Sequence, residues 1–227
     1  MAAGSGSRTL VLAVVAVAVA AGIGYWGYGA YKTRELRGSV ATVLESAGGH
    51  VREALAMQAG PLSADRTAPV KQLDGYIASV DKSIERFKRL PLDRDRALTD
   101  AADSYLVTVR EILRTQARMY RAYQMHTESL DSLRDHMRVD DRRGAWVTGA
   151  VRAKDRAERD FRDYRLASSS YATLLGSLPT EQKKIESAAR EALAPPDQIS
   201  QARERAIALG KEAAAEMEKA RKLVGPK

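Results

Sequence analysis

Hydrophobic positions along most of this chain recur at alternating spacings of three and four. The longest register opens at Leu98 and runs through Ala102, Tyr105, Val109, Ile112, Gln116, Met119, Tyr123, His126, Leu130, Leu133 and Met137. It is unbroken for about 39 residues, the signature of a heptad seam and of coiled-coil-like packing. Arg110, Glu111, Arg114, Arg118 and Arg121 fall on the outer face. The same rhythm appears in Leu73, Ile77, Val80, Ile84 and Phe87 between Pro69 and Pro91, and in Phe161, Tyr164, Ser168, Tyr171, Leu175 and Leu178 before Pro179. It returns in Ile199, Ala202, Ala206, Leu209, Ala213 and Ala220 after Pro196, where the small side chains predict a close helix–helix approach. Proline ends helices because it lacks an N–H and clashes with the preceding turn. Pro179 is therefore expected to close one helix, with a shorter one from Thr180 to Leu193 capped by Thr180.

No stretch alternates with β-branched enrichment, so no strand is predicted. Each helix has a single apolar stripe, and an isolated helix of that kind is marginal in water, so the stripes must face one another. Short connections at Pro91, 139–144 and Pro195 favour antiparallel neighbours.

The N-terminal pattern is different. From Thr9 to Tyr31, between Arg8 and Lys32, no side chain is charged. As a helix this run reaches roughly 35 Å, enough to cross a hydrocarbon core of about 30 Å. Leu10 to Ala21 is entirely Leu, Val and Ala; the run then thins into glycines interleaved with Tyr25, Trp26, Tyr28 and Tyr31. Aromatic rings followed by Lys32, Arg34 and Arg37 read as interfacial anchors. Ala16, Ala20 and Gly24 form a small-residue ladder, with Ala18 and Gly22 beside it, of the kind that lets a second membrane helix approach. Ala16-Val17-Ala18 and Ala18-Val19-Ala20 also resemble signal-peptide cleavage sites, but the apolar run continues past them, and a retained anchor is the expectation.

The expected fold class is therefore all-α: a single N-terminal transmembrane helix followed by an elongated antiparallel bundle of four or five helices with heptad packing. The divisions are a tail at 1–8, an anchor at 9–31, a juxtamembrane helix at 32–60 and a soluble bundle at 61–227. The juxtamembrane helix continues from the anchor through Val40, Val43, Leu44, Val51 and Leu55, with Gly48-Gly49 as an expected soft point.

Composition narrows the function. The chain has 227 residues, 37 Lys+Arg, 29 Asp+Glu, a net charge of +8 and no cysteine. Disulfides, thiolate metal sites, covalent haem and lipoprotein anchoring are excluded. Basic runs at 138–143 and 152–165 are interspersed with Asp140, Asp141, Asp155, Glu158, Asp160 and Asp163, the pattern of a solvated helix face, so no nucleic-acid partner is expected. Attraction of Lys32 to Arg37 to anionic lipid headgroups is more in keeping. The histidines, His50, His126 and His136, form no Glu-x-x-His pair and no His-Glu-x-x-His motif. A phosphate loop, an EF-hand and a nucleophile elbow are likewise missing. No catalytic residue, metal or cofactor is expected.

Gln116, Tyr120, Tyr123 and His126 depart from a plain seam. They read first as polar residues that fix register, and second as a small pocket facing Tyr164 and Tyr171. The functional expectation is a scaffold or accessory subunit in a bacterial-type inner membrane, bundle on the external side, docked on a membrane protein or on its own copies. The positive-inside count leans the other way, but long domains translocate largely regardless of flanking charge. The bundle also broadly resembles, in architecture alone, the helical sensing domains of bacterial chemoreceptors. Those receptors carry a second membrane helix and an output domain, and neither appears before Gly225-Pro226-Lys227, so a sensing role implies a partner. An envelope tether, with the long seam spanning about 60 Å, is a third reading.

Overall fold

A computed structural model describes residues 5–59, 67–138 and 144–224, with side chains described for 28–58, 67–138 and 144–222. These residues form five α-helices and no strand: α1 (Ser5–Ala59), α2 (Thr67–Lys88), α3 (Arg96–Met137), α4 (Ala145–Ile185) and α5 (Pro196–Val224). Among the described residues, no helix is long and apolar enough to cross a membrane. The side chains of residues 9–27, and with them those of Ala16, Ala18, Ala20, Tyr25 and Trp26 and the surroundings of Gly22 and Gly24, lie outside the described ones.

The antiparallel hairpin of α3 and α4 is the spine. Every seam position from Ala102 to Leu133 is buried except Tyr123, which is half-buried like Met137 at the end. The buried face is wider than a two-helix seam, since Leu106, Leu113, Ala117 and Tyr120 are also buried. The excess reflects neighbours on two sides: α4 on one, α1 and α2 on the other. Asp95 caps α3, accepting from the Leu98 amide at 3.4 Å.

Helix α1 runs parallel to α3, pairing Arg37 with Asp95, Ala54 with Gln116 and Gln58 with Tyr120. Helix α2 returns antiparallel along α3, with Asp74 on Arg121 and Asp81 on Arg110 and Arg114. Helix α5 lies antiparallel to α4, Arg221 meeting Glu158 near one end and Ser168 Oγ donating to the Ala206 carbonyl further along. It starts beside the end of α1, where Gln198 Nε2 donates to the Arg52 carbonyl at 2.9 Å. The basal part of the bundle is thus built from α1 to α4 and the distal part from α3, α4 and α5. One hydrophobic core runs through both, from Leu36 and Val40 on α1 to Met217 and Ala220 on α5.

Two sequence expectations need correction. Pro179 does not end its helix: α4 continues to Ile185, and no helix spans Thr180 to Leu193. The stripe Tyr171, Leu175, Leu178 continues into Gln182 and Ile185, all buried, while Pro179 itself is exposed. Burial of the continued stripe outweighs the one hydrogen bond that proline cannot donate. The chain turns instead after Ile185, through a short 3-10 turn at Arg190–Ala192. Gly48 is not a soft point either. Helix α1 is unbroken there, and a Cβ on Gly48 would collide with the Ala192 carbonyl, so glycine serves a close approach of backbone to helix.

Candidate functional site

The four polar seam residues separate into two environments. Gln116 is fully buried and faces α1; its Nε2 donates to the Ala54 carbonyl at 2.8 Å and to Tyr120 Oη at 3.2 Å. Tyr120 in turn donates to Gln58 Oε1 at 2.7 Å. The result is a chain of polar groups that crosses from α3 to α1 and fixes their axial register.

Tyr123 and His126 face α4 instead. Tyr123 meets Tyr164 edge-on at 5.4 Å between ring centroids, and His126 lies parallel to Tyr164 at 6.2 Å and tilted on Phe161 at 5.3 Å. The imidazole is 2% exposed and neither ring nitrogen has a hydrogen-bond partner. Burial lowers its pKa below the ordinary value of 6.5, opposed by the Asp160 carboxylate and by the backbone of Ala157 and Ala213, which approach without hydrogen-bond alignment. Asp160 is itself buried and accepts from Ser129 Oγ. Tyr171 packs deeper, and its fully buried hydroxyl has a pKa raised by loss of solvent, with the nearby Tyr120 adding to the rise. The four residues thus do not line one pocket: two complete a hydrogen-bonded crossing and two join an aromatic cluster.

Where α1 meets the bundle, the expected interfacial residues are described from Tyr28 onward. Tyr28 and Tyr31 are 61% and 64% exposed, and Lys32 Nζ lies 5.9 Å from each ring centroid. Lys32 also pairs with Glu35 at 2.8 Å. Arg34 is exposed, whereas Arg37 is held by Asp95 at 2.9 Å and so joins α1 to the start of α3. A cleft of about 380 Å³ opens beside this junction, between Tyr28, Lys32 and Leu36 of α1 and Leu90, Pro91 and Arg94 of the following turn.

Two further constellations carry more structural weight than sequence reasoning gave them. Arg52 reaches the carbonyls of Glu191 and Leu193, and Tyr105 Oη donates to the Ala192 carbonyl at 3.0 Å, so the turn before α5 is tied to α1 and α3. At the far end, Trp146 Nε1 donates to the His136 carbonyl at 2.9 Å, and His136 Nε2 lies 2.8 Å from the Trp146 carbonyl. Their rings stack at 5.3 Å, closing the α3–α4 hairpin. Among the described residues, no group of three or more His, Asp or Glu side chains is placed to hold a metal ion. No protein-family model, curated protein or solved structure matches the chain.

Proposed function

We propose that this chain is a membrane-anchored helical scaffold or accessory subunit, without catalytic activity of its own, that docks on a membrane protein through its N-terminal helix and the basal end of its bundle. One observation carries the reading. The uncharged sequence Thr9 to Tyr31 belongs to the same unbroken helix whose Leu36, Val40, Leu44 and Val51 enter the bundle core. Exposed Tyr28 and Tyr31 stand at the junction, where amphipathic rings sit well at a headgroup layer. The cleft beside them supplies a neighbouring surface for the same partner.

The reading is tested by purifying the tagged full-length protein from native membranes in mild detergent and identifying what accompanies it. A stoichiometric membrane protein is expected, and the triple variant Ala16→Ile, Ala20→Ile, Gly24→Ile should release it. A chain that purifies alone, or a partner retained by the triple variant, overturns the docking mode. In this reading the bundle lies on the external face of an inner membrane. The chain has no cysteine, so Ser177→Cys provides a unique thiol. It should react with a membrane-impermeant maleimide in intact spheroplasts; reaction only after lysis places the bundle inside.

A further inference from the structure

Between the outer faces of α4 and α5 lies a second cleft, of about 460 Å³. It opens because the facing residues are small: Ala172 and Gly210 form its floor, and a Cβ on Gly210 would reach Ser168 Oγ at 3.6 Å. Its rim carries Arg165, Arg203 and Lys211, with Ser169, Thr173 and Ile207 between them, and no carboxylate lines it. None of the three cations has an ion pair among the described residues, although most arginines on α3 do. The Arg203 guanidinium lies over Gly176, about 3.8 Å from where its Cβ would be, and so rests against α4. Ile207 is 43% exposed. Three uncompensated cations around an apolar floor, with hydroxyls at hand, match the requirements of a ligand that has one anionic end and one apolar end.

From these residues we infer that the α4–α5 cleft binds a small diffusible amphipathic anion, a phosphate or carboxylate bearing a short apolar chain. A bilayer headgroup is the wrong source. By the antiparallel pairing of α4 with α3, which sets Tyr164 beside Tyr123 and Glu181 beside Ser104, the cleft lies level with the middle of α3 near Met119, whereas α1 leaves the core near the start of α3. At 1.5 Å per residue this puts the cleft about 35 Å along the bundle axis from the point where α1 departs. The site rests on α4 and α5 alone, and the exclusion of a headgroup rests on the reading of α1 as the membrane anchor.

The test is calorimetric titration of hexyl phosphate into the full-length chain held in phosphatidylcholine nanodiscs, with empty nanodiscs as reference. Saturable one-to-one binding is expected. Inorganic phosphate and 1-hexanol should each bind at least about tenfold more weakly, because each satisfies only half of the site. The double variant Arg165→Gln/Arg203→Gln should weaken hexyl phosphate at least about tenfold. Lys82→Gln/Arg89→Gln on α2, which removes the same charge elsewhere, should leave it unchanged. Arg165, Arg203 and Lys211 on the rim and Lys82 and Arg89 on α2 are all exposed, and circular dichroism verifies that the variants fold. Heat equal to that of empty nanodiscs, equal affinity for inorganic phosphate, or equal loss in both double variants would overturn the inference. Binding that appears only when the nanodiscs contain anionic lipid would overturn the diffusible ligand in favour of a membrane surface.

Discussion

At Gln116 and at His126 the same seam of α3 carries a polar side chain into the core, and the two surroundings differ. In the basal part, Gln116 donates to α1 and to Tyr120, which donates onward to Gln58. In the distal part, His126 lies among Phe161, Tyr164 and the alanines of α5 with both nitrogens unpartnered. A buried polar group with partners costs little and fixes register, while one without partners costs its full desolvation. The basal core is therefore specified by hydrogen bonds across α1, α3 and the turn before α5, although Gln116 Oε1 and Gln58 Nε2 keep no partner. The distal core is specified mainly by shape, with the small buried residues Ala206 and Ala213 on α5 and the rings of Phe161 and Tyr164 on α4.

The sharpest way to break the basal arrangement is at two adjacent glycines. Gly48→Ala forces a methyl against the backbone of Ala192, which cannot move aside, and should lower stability by about 2 kcal/mol. Gly49→Ala meets only the far end of Arg52 at 4.0 Å and should raise stability by about 0.5–1 kcal/mol. Thermal unfolding of the two full-length variants checks this, and shifts of the same sign would contradict it.

A second pair compares bonded and unbonded hydroxyls. Tyr105→Phe removes the donor to the Ala192 carbonyl and should cost about 1–2 kcal/mol. Tyr171→Phe removes a buried hydroxyl that has no partner, and should be neutral or stabilising by up to about 1 kcal/mol. Chemical denaturation midpoints distinguish them.

The distal part has a pH dependence of its own. The folded pKa of His126 is lowered, chiefly by burial, so the unfolded chain takes up this proton first as pH falls. Its effect on stability is absent above the unfolded value of 6.5; below it, stability declines until pH passes the lowered folded value. His126→Leu should be at least as stable as the parent at pH 8, where the neutral ring already has two unpartnered nitrogens, and its advantage should grow at pH 5.5, with amide exchange slowed around 126 and 161–164. Equal responses of both proteins to acid would remove His126 as the cause. The smallest effect is expected at Asp74–Arg121, a 2.7 Å pair about half exposed on each side. Asp74→Asn should shift stability by no more than about 0.5 kcal/mol.

The helical class, the α2 and α3 stripes and the start of α5 were legible because each rests on periodicity within one segment. Pro179 misled because a local rule about one missing hydrogen bond competed with a stripe that resumes at Gln182 and Ile185, and burial prevailed. Gly48 misled for a related reason: a glycine in a helix looks the same in sequence whether it loosens the helix or admits another backbone. Of the polar group, Gln116, Tyr123 and His126 were identifiable from seam spacing, but the division of the four between α1 and α4 was not. Tyr120 sits one residue beyond the seam slot of Met119, which turns its hydroxyl toward Gln58 rather than toward His126. The His136–Trp146 clasp carried a readable signal in two aromatic residues flanking a turn, and the Arg52 ties to Glu191 and Leu193 carried none, since they join residues far apart in sequence.

Helix α1 crosses from the uncharged segment into the core without a turn or linker. A continuous helix is a shaft with a fixed phase. One residue inserted between Glu35 and Leu36 would turn everything before it by about 100° and displace it by about 1.5 Å relative to the bundle. An insertion of seven would nearly restore the angle while adding about 10 Å. The azimuth at which the bundle faces a neighbour is thus encoded in a residue count, and torque applied to the N-terminal helix is borne first where Leu36 and Val40 enter the core and Arg37 grips Asp95.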